Sequence, residues 1–145
     1  MLTIENIEVT YHHTVQALRG LSLEVPDGKI VTLLGTNGAG KTTTLKAASN
    51  LLALENGEVG EGRISFKGQS IMTIQPDRLV QQGLFHVREG RRIFSEMTVE
   101  DNLIAASYAL DRRQAKPDYD KVYAFFPRLK ERRRQIAGYL SGGEQ

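Results

Sequence analysis

The sequence has no cysteine, so disulfides and thiolate-bound zinc are excluded, and the chain suits a reducing cytosol. It has no apolar run near the roughly 18 to 20 residues that span a bilayer. It lacks a strong charge excess: the net charge is +2, too small to imply a nucleic-acid partner. The opening Met1-Leu-Thr-Ile-Glu-Asn-Ile7 reads as a strand, not as a secretion signal. No internal repeat or low-complexity segment is present. These absences point to a cytoplasmic chain, which would work at a membrane only by docking to another protein.

What is there suits one α/β domain: 145 residues, with 40% hydrophobic side chains available for a core. Arginines gather late, at Arg88, Arg91, Arg92, Arg112, Arg113 and Arg132 to Arg134. Such a run reads first as a solvated face, and second as a docking surface or a lure for a polyanion.

Leu2, Ile4, Ile7 and Val9 predict a half-buried strand over 2–11 with an irregularity near Asn6. Leu21, Leu23 and Val25 predict a second strand over 18–25, closed by a turn at Pro26-Asp27-Gly28. Ile30 to Leu34 is apolar almost without interruption, the pattern of a parallel strand buried on both faces. A glycine-rich loop follows, then a helix expected from about Lys41 to Leu52 with Leu45, Ala48, Leu51 and Leu52 inward. Further expectations are a strand over 62–67, a short helix from Pro76 to Gly83, and a short buried strand at Leu84 to Val87. Thr98 to Asp101 has the spacing of a capping box and should open a helix to about Ala109. Helices are also expected from Asp118 to about Phe126 and from Leu129 to about Ile136, with a polar linker over 111–118. His12 and His13 read as loop residues and His86 as strand packing.

The loop Gly35-Thr36-Asn37-Gly38-Ala39-Gly40-Lys41-Thr42 carries the chemistry. Glycines remove side chains, so backbone amides can close on phosphate oxygens. A helix starting at Lys41 adds about half a positive charge at its N-terminus. Lys41 suits the β- and γ-phosphates, the Thr42 hydroxyl suits Mg²⁺, and Thr43 is a further phosphate donor. Strand, glycine loop and helix in that order is the context this motif requires. The ligand expected is ATP with Mg²⁺.

Together with Leu140-Ser141-Gly142-Gly143-Glu144-Gln145, this loop resembles the ATP-binding cassette (ABC) proteins. Residues 87–103 and 122–133 resemble the ATP-binding subunits of branched-chain amino-acid importers, and the likeness covers the whole chain. The resemblance implies a P-loop NTPase cassette with an N-terminal antiparallel β part and a helical subdomain over about 99–139. It places Tyr11 on the adenine ring; the alternative is a strand-end tyrosine covering the sheet. It places Glu89 near Mg²⁺ and the attacking water, where most of the family has glutamine; the alternative is an exposed loop glutamate among arginines. It assigns Ser141, Gly142 and Gly143 to the γ-phosphate of ATP held by an opposite subunit.

The same resemblance implies that the C-terminal part of the core, with the Mg²⁺-associated aspartate and the water-activating glutamate, lies outside this sequence. The 145 residues alone are then expected to hydrolyse ATP negligibly, and six terminal residues are too few for the helix behind Ser141. Implied partners are transmembrane permease subunits, a second ATP-binding subunit in a head-to-tail dimer and, indirectly, a periplasmic amino-acid-binding protein, with no nucleic acid. The implied location is peripheral, on the inner face of the cell membrane. Two other readings are a soluble cassette ATPase and a non-catalytic nucleotide-binding fragment.

Overall fold

The computed structural model describes residues 1–90, 92–109 and 117–145, in two compact units, Met1–His86 and Val87–Gln145. Arg91, Arg112, Arg113 and the linker over 111–116 lie outside the described residues.

The first unit is built on an antiparallel sheet of β1 (Leu2–Tyr11), β2 (Val15–Val25), β3 (Gly57–Phe66) and β4 (Gln69–Ser70), in the order β2-β1-β3-β4. The irregularity expected near Asn6 is a bulge: the pairing slips between Ile4 and Ile7 on one side and between Glu5 and Glu8 on the other. Its consequence is one of parity. Side chains alternate faces along a strand, so Ile4 and Ile7 would oppose each other in a regular one. The extra residue flips the alternation, and Ile4, Ile7 and Val9 are all buried in one core. Asn6 takes φ 48°, and its amide donates to Ser22 Oγ at 2.9 Å. β3 begins at Gly57, earlier than expected, because Gly57-Glu-Val-Gly-Glu-Gly62 pairs with β1 without showing a clear alternation. β4 was not foreseen; Lys67 and Gly68, both at positive φ, turn the chain into it.

Helix α1 (Lys41–Ala48) packs its small face on this core through Ala47 and Ala48. It stops short of the expected Leu52. Asn50 takes the left-handed conformation at φ 54°, its amide donates to the Ala47 carbonyl, and the Leu51 amide donates to the Lys46 carbonyl. That is a Schellman stop with asparagine in the usual glycine position. The shorter helix also changes the inner face. Thr44, Ala47 and Ala48 are buried, with Leu52 reached through a 3-10 turn (Leu52–Glu55), while Leu45 is 53% exposed. Helix α2 (Pro76–Gln81) ends before Gly83 at φ 96°, as proline and glycine punctuation require.

Two expected strands, the parallel one over 30–34 and the short buried one at Leu84 to Val87, are not formed. Residues 30–34 make no ladder, with Ile30 98% and Leu34 85% exposed, and Leu84 to Val87 is likewise unpaired. An apolar run becomes a central strand only when neighbours on both sides take its amides and carbonyls. None of the described residues does so.

The second unit holds α3 (Val99–Ser107), α4 (Tyr119–Phe125), α5 (Pro127–Glu131) and a 3-10 turn (Ala137–Tyr139). A small core joins Val99, Ala137 and Leu140, with Ile93 and Leu129 against it. α5 ends at Glu131 and does not continue to Ile136. Residues 133–138 instead lie beside 95–100, with an isolated bridge between Thr98 and Ile136. The start of α3 explains this. A helix leaves its first amides without partners. Here the Val99 amide donates to Gln135 O at 3.0 Å, the Glu100 amide to Arg133 O at 2.9 Å, and the Asp101 amide to Thr98 Oγ at 3.1 Å. The Asp101 carboxylate accepts from Thr98 in return, which completes the expected capping box. Thr98→Ala removes that box and should lower the unfolding free energy of the complete protein by about 1 kcal/mol, read from urea denaturation.

Candidate functional site

The glycine-rich loop over 35–42 is set by two glycines at positive φ, Gly38 at 83° and Gly40 at 85°. Gly40 is the N-cap of α1, and its carbonyl takes the Thr44 amide at 2.8 Å and the Thr44 hydroxyl at 2.9 Å. Gly40 also has no room for a side chain: a Cβ would lie 2.4 Å from Leu18 Cδ2 and 3.3 Å from Ala17 O. β2 therefore supports the start of the helix directly. Gly35 is closed differently, since a Cβ there would sit 2.9 Å from that of Ala39. Gly38 has open space around it, and its glycine serves the backbone conformation alone.

Gly35, Thr36, Asn37, Gly38 and Ala39 are exposed; Gly40, Lys41 and Thr43 are half-buried, and Thr42 is exposed. The Ala39 amide turns inward to Thr36 O at 3.2 Å. The amides of Gly38, Gly40, Lys41, Thr42 and Thr43 donate to none of the described residues. Lys41 Nζ donates to Gly35 O at 2.8 Å and to Thr36 O at 2.6 Å. An ammonium has three donors, so the two carbonyls fix its place over the loop and one donor remains. Free amides, a fixed cation and a helix N-terminus on one concave loop fit a bound polyphosphate. The Thr42 hydroxyl, exposed on the first turn, is an oxygen ligand of the type Mg²⁺ takes. Among the described residues no group of three His, Cys, Asp or Glu could hold a metal by itself.

Tyr11 ends β1, paired with Val15 and Gly57. Its ring lies on Gly57, where a Cβ would be 2.6 Å from Tyr11 Cε1. The strand-covering role thus has a contact, and the half-buried ring keeps part of its surface open. Glu89 belongs to the second unit, exposed beside Gly90 at φ 78°; its carbonyl accepts from Arg92 Nε at 3.4 Å. No described residue is bonded to its carboxylate. His12 and His13 lie in the β1–β2 turn at positive φ. His86 is not strand packing; its Nδ1 is 2.7 Å from Ser49 Oγ, just beyond α1.

Ser141, Gly142 and Gly143 lie in an exposed turn in the second unit. No helix forms over 141–145, and the turn is closed by hydrogen bonds. The Glu144 and Gln145 amides both donate to Ser141 O, at 3.0 and 3.1 Å, and Glu144 Oε2 accepts the Ser141 amide and hydroxyl. These bonds, with Arg132 and Arg128 nearby, outweigh partial desolvation and hold the Glu144 carboxyl below its ordinary value. The S-x-x-E spacing of Ser141 and Glu144 was visible in the sequence and marks this contact.

The ABC transporter family model matches residues 18–145. The chain belongs to the ABC transporter family. It is 39% identical over all 145 residues to the high-affinity branched-chain amino acid transport ATP-binding protein BraG of Pseudomonas aeruginosa, and covers 60% of that protein. It is 30% identical over 122 residues, 84% of the chain, to the probable branched-chain amino acid transport ATP-binding protein LivF of Archaeoglobus fulgidus, covering 50% of it. Among solved structures, the ADP conformation of an ATP-binding cassette of an ABC transporter superposes with a TM-score of 0.76 at 27% identity. That match takes in 99% of this chain and 60% of the other. The antiparallel sheet and helices described above are therefore those of an ABC cassette, of which this chain spans about three-fifths. Among the described residues no helix is long and apolar enough to cross a membrane.

Proposed function

We propose that the chain is the phosphate-binding part of an ATP-binding subunit that energises import of branched-chain amino acids through an ABC transporter. The observation that carries the proposal is the joint one: a loop of free amides around a fixed Lys41, in a chain similar over its full length to a branched-chain amino-acid transport ATP-binding protein.

In this reading the amides of Gly38 and of Gly40 to Thr43 take the phosphate oxygens of ATP, and Lys41 turns its remaining donor to the β- and γ-phosphates. Thr42 holds Mg²⁺, which would supply charge neutralisation at the leaving phosphates. Tyr11 offers its open ring surface to adenine. Glu89 orders the attacking water or ligates Mg²⁺. Ser141, Gly142 and Gly143 close on the γ-phosphate of ATP held by a second cassette in a head-to-tail dimer. Transmembrane permease subunits would dock on the subunit and carry the solute across. A periplasmic amino-acid-binding protein would deliver the solute, and the subunit would sit on the cytoplasmic face of the membrane.

The test is the complete protein in vesicles with the permease subunits of a branched-chain amino-acid importer. Leucine, isoleucine and valine should accumulate in an ATP-dependent way, and Ser141→Arg should reduce hydrolysis about 100-fold while one cassette still binds ATP. Uptake of a different solute would refute the substrate assignment. Failure to associate with any permease would refute transport itself.

A further inference from the structure

Helix α1 carries the glycine-rich loop at its N-terminus and is capped at its other end by Ser49, which is buried. Ser49 Oγ lies 2.7 Å from the Leu45 carbonyl and 2.7 Å from His86 Nδ1. A hydroxyl has one proton to give. The amides of Ser49, Asn50 and Leu51 bond to the Lys46 and Ala47 carbonyls, which leaves the Leu45 carbonyl to the hydroxyl. The Lys46 carbonyl, 3.3 Å from Ser49 Oγ, already takes two of those amides. The Ser49 proton therefore goes to Leu45 O, and His86 is the donor, from Nδ1, in its bond to Ser49.

His86 is the last residue of the first unit, and this bond holds its stretch of chain. Burial alternates along the run: Leu84 and His86 are half-buried, while Phe85 and Val87 are exposed. Leu84 is fixed by packing on the core and by its amide, which donates to Leu79 O at 3.0 Å. Beyond it, the backbone of residues 85 to 88 bonds to none of the described residues. Among the side chains of residues 85 to 88, His86 alone hydrogen-bonds to a described residue. Glu89 follows three positions after His86. The Ser49–His86 bond is thus the last tie to α1 before the chain reaches Glu89.

We propose that His86 is a positioning residue for ATP hydrolysis, whose Nδ1 ties the chain leading to Glu89 to the far end of the phosphate-binding helix. The phosphate cradle and the point from which Glu89 is reached are then both referred to one helix. Without the bond, residues 85 to 88 are anchored only through Leu84, while the loop amides and Lys41 stay as they are. The cost falls on the step that needs Glu89 in place, and not on nucleotide binding. The proposal rests on the reading of Glu89 as the residue that orders the attacking water or ligates Mg²⁺.

The experiment uses the complete protein and measures kcat for ATP hydrolysis beside the dissociation constant of ATP. His86→Ala should lower kcat about tenfold, the weight of one hydrogen bond, and leave the dissociation constant within about twofold. His86→Asn puts an amide N–H where Nδ1 stood and should return kcat to within about threefold of the parent. His86→Gln, whose amide lies one carbon further out, should stay as low as His86→Ala, and it takes the place of that variant should His86→Ala fail to fold. Ser49→Ala removes the acceptor, so combining it with a His86 change should cost no more than the worse single change. An unchanged kcat in the alanine or glutamine variant overturns the proposal. So do equal rates in the asparagine and glutamine variants, losses that multiply in the double variant, or a loss of ATP affinity as large as the loss of kcat, which would make His86 an anchor of the fold alone. Glu89→Ala separates the two levels. If it lowers kcat while His86→Ala is silent, only this proposal fails; if it leaves kcat unchanged, the reading of Glu89 fails and this proposal with it.

Discussion

Lys41→Ala should weaken ATP binding by the complete protein about 30- to 150-fold, read by fluorescence titration, with little change in its unfolding midpoint. The size follows from the loss of one charge-assisted bond to a fully charged phosphate, about 2 to 3 kcal/mol. The selectivity follows from position. The Nζ group donates to Gly35 and Thr36 carbonyls in an exposed loop, so its removal costs the fold little. Lys41→Arg should recover only a small part of the affinity. A planar guanidinium is too broad for the cradle that two carbonyls set for a compact ammonium.

Gly40→Ala should lower the stability of the first unit by about 2 to 5 kcal/mol. Two costs combine. Left-handed backbone at φ 85° is strained for alanine, and the added Cβ would lie 2.4 Å from Leu18 Cδ2, a core side chain only 4% exposed. Gly38→Ala provides the comparison within the same loop. It has a similar φ of 83° but nothing within 4 Å, so only the strain applies, about 1 kcal/mol. Urea denaturation of the two variants should therefore separate them clearly. Equal losses would mean that Leu18 yields, and that β2 does not support the loop as described.

Local chemistry was the part legible in sequence. The bulge at Asn6, the turn at Pro26, the helix between Pro76 and Gly83, and the capping box at Thr98 all depend on residues within a few positions of one another. The phosphate loop belongs with them, since its glycines and Lys41 act on adjacent backbone. Pairing was not legible. Ile30 to Leu34 has the composition of a central strand, but composition does not supply neighbours, and the described residues offer none. The ends of α1 and α5 were missed for related reasons. Asn50 stops α1 by a left-handed turn that glycine more often makes, and residues 133–138 are drawn to the open amides of α3, a contact more than thirty residues distant in sequence. Glu144 was within reach of sequence reasoning, because its spacing from Ser141 repeats that of Asp101 from Thr98.

The central claim is that residues 35–43 bind the phosphate tail of a nucleotide. Calorimetric titration of the complete protein with ATP, ADP and AMP tests it most directly. The amides of Gly40 to Thr43 and the Lys41 ammonium face the β- and γ-phosphates in this account, so ATP and ADP should bind with micromolar affinity and AMP at least about 100-fold more weakly. AMP binding as tightly as ATP would place recognition on the base and sugar, and would contradict the assignment of the loop.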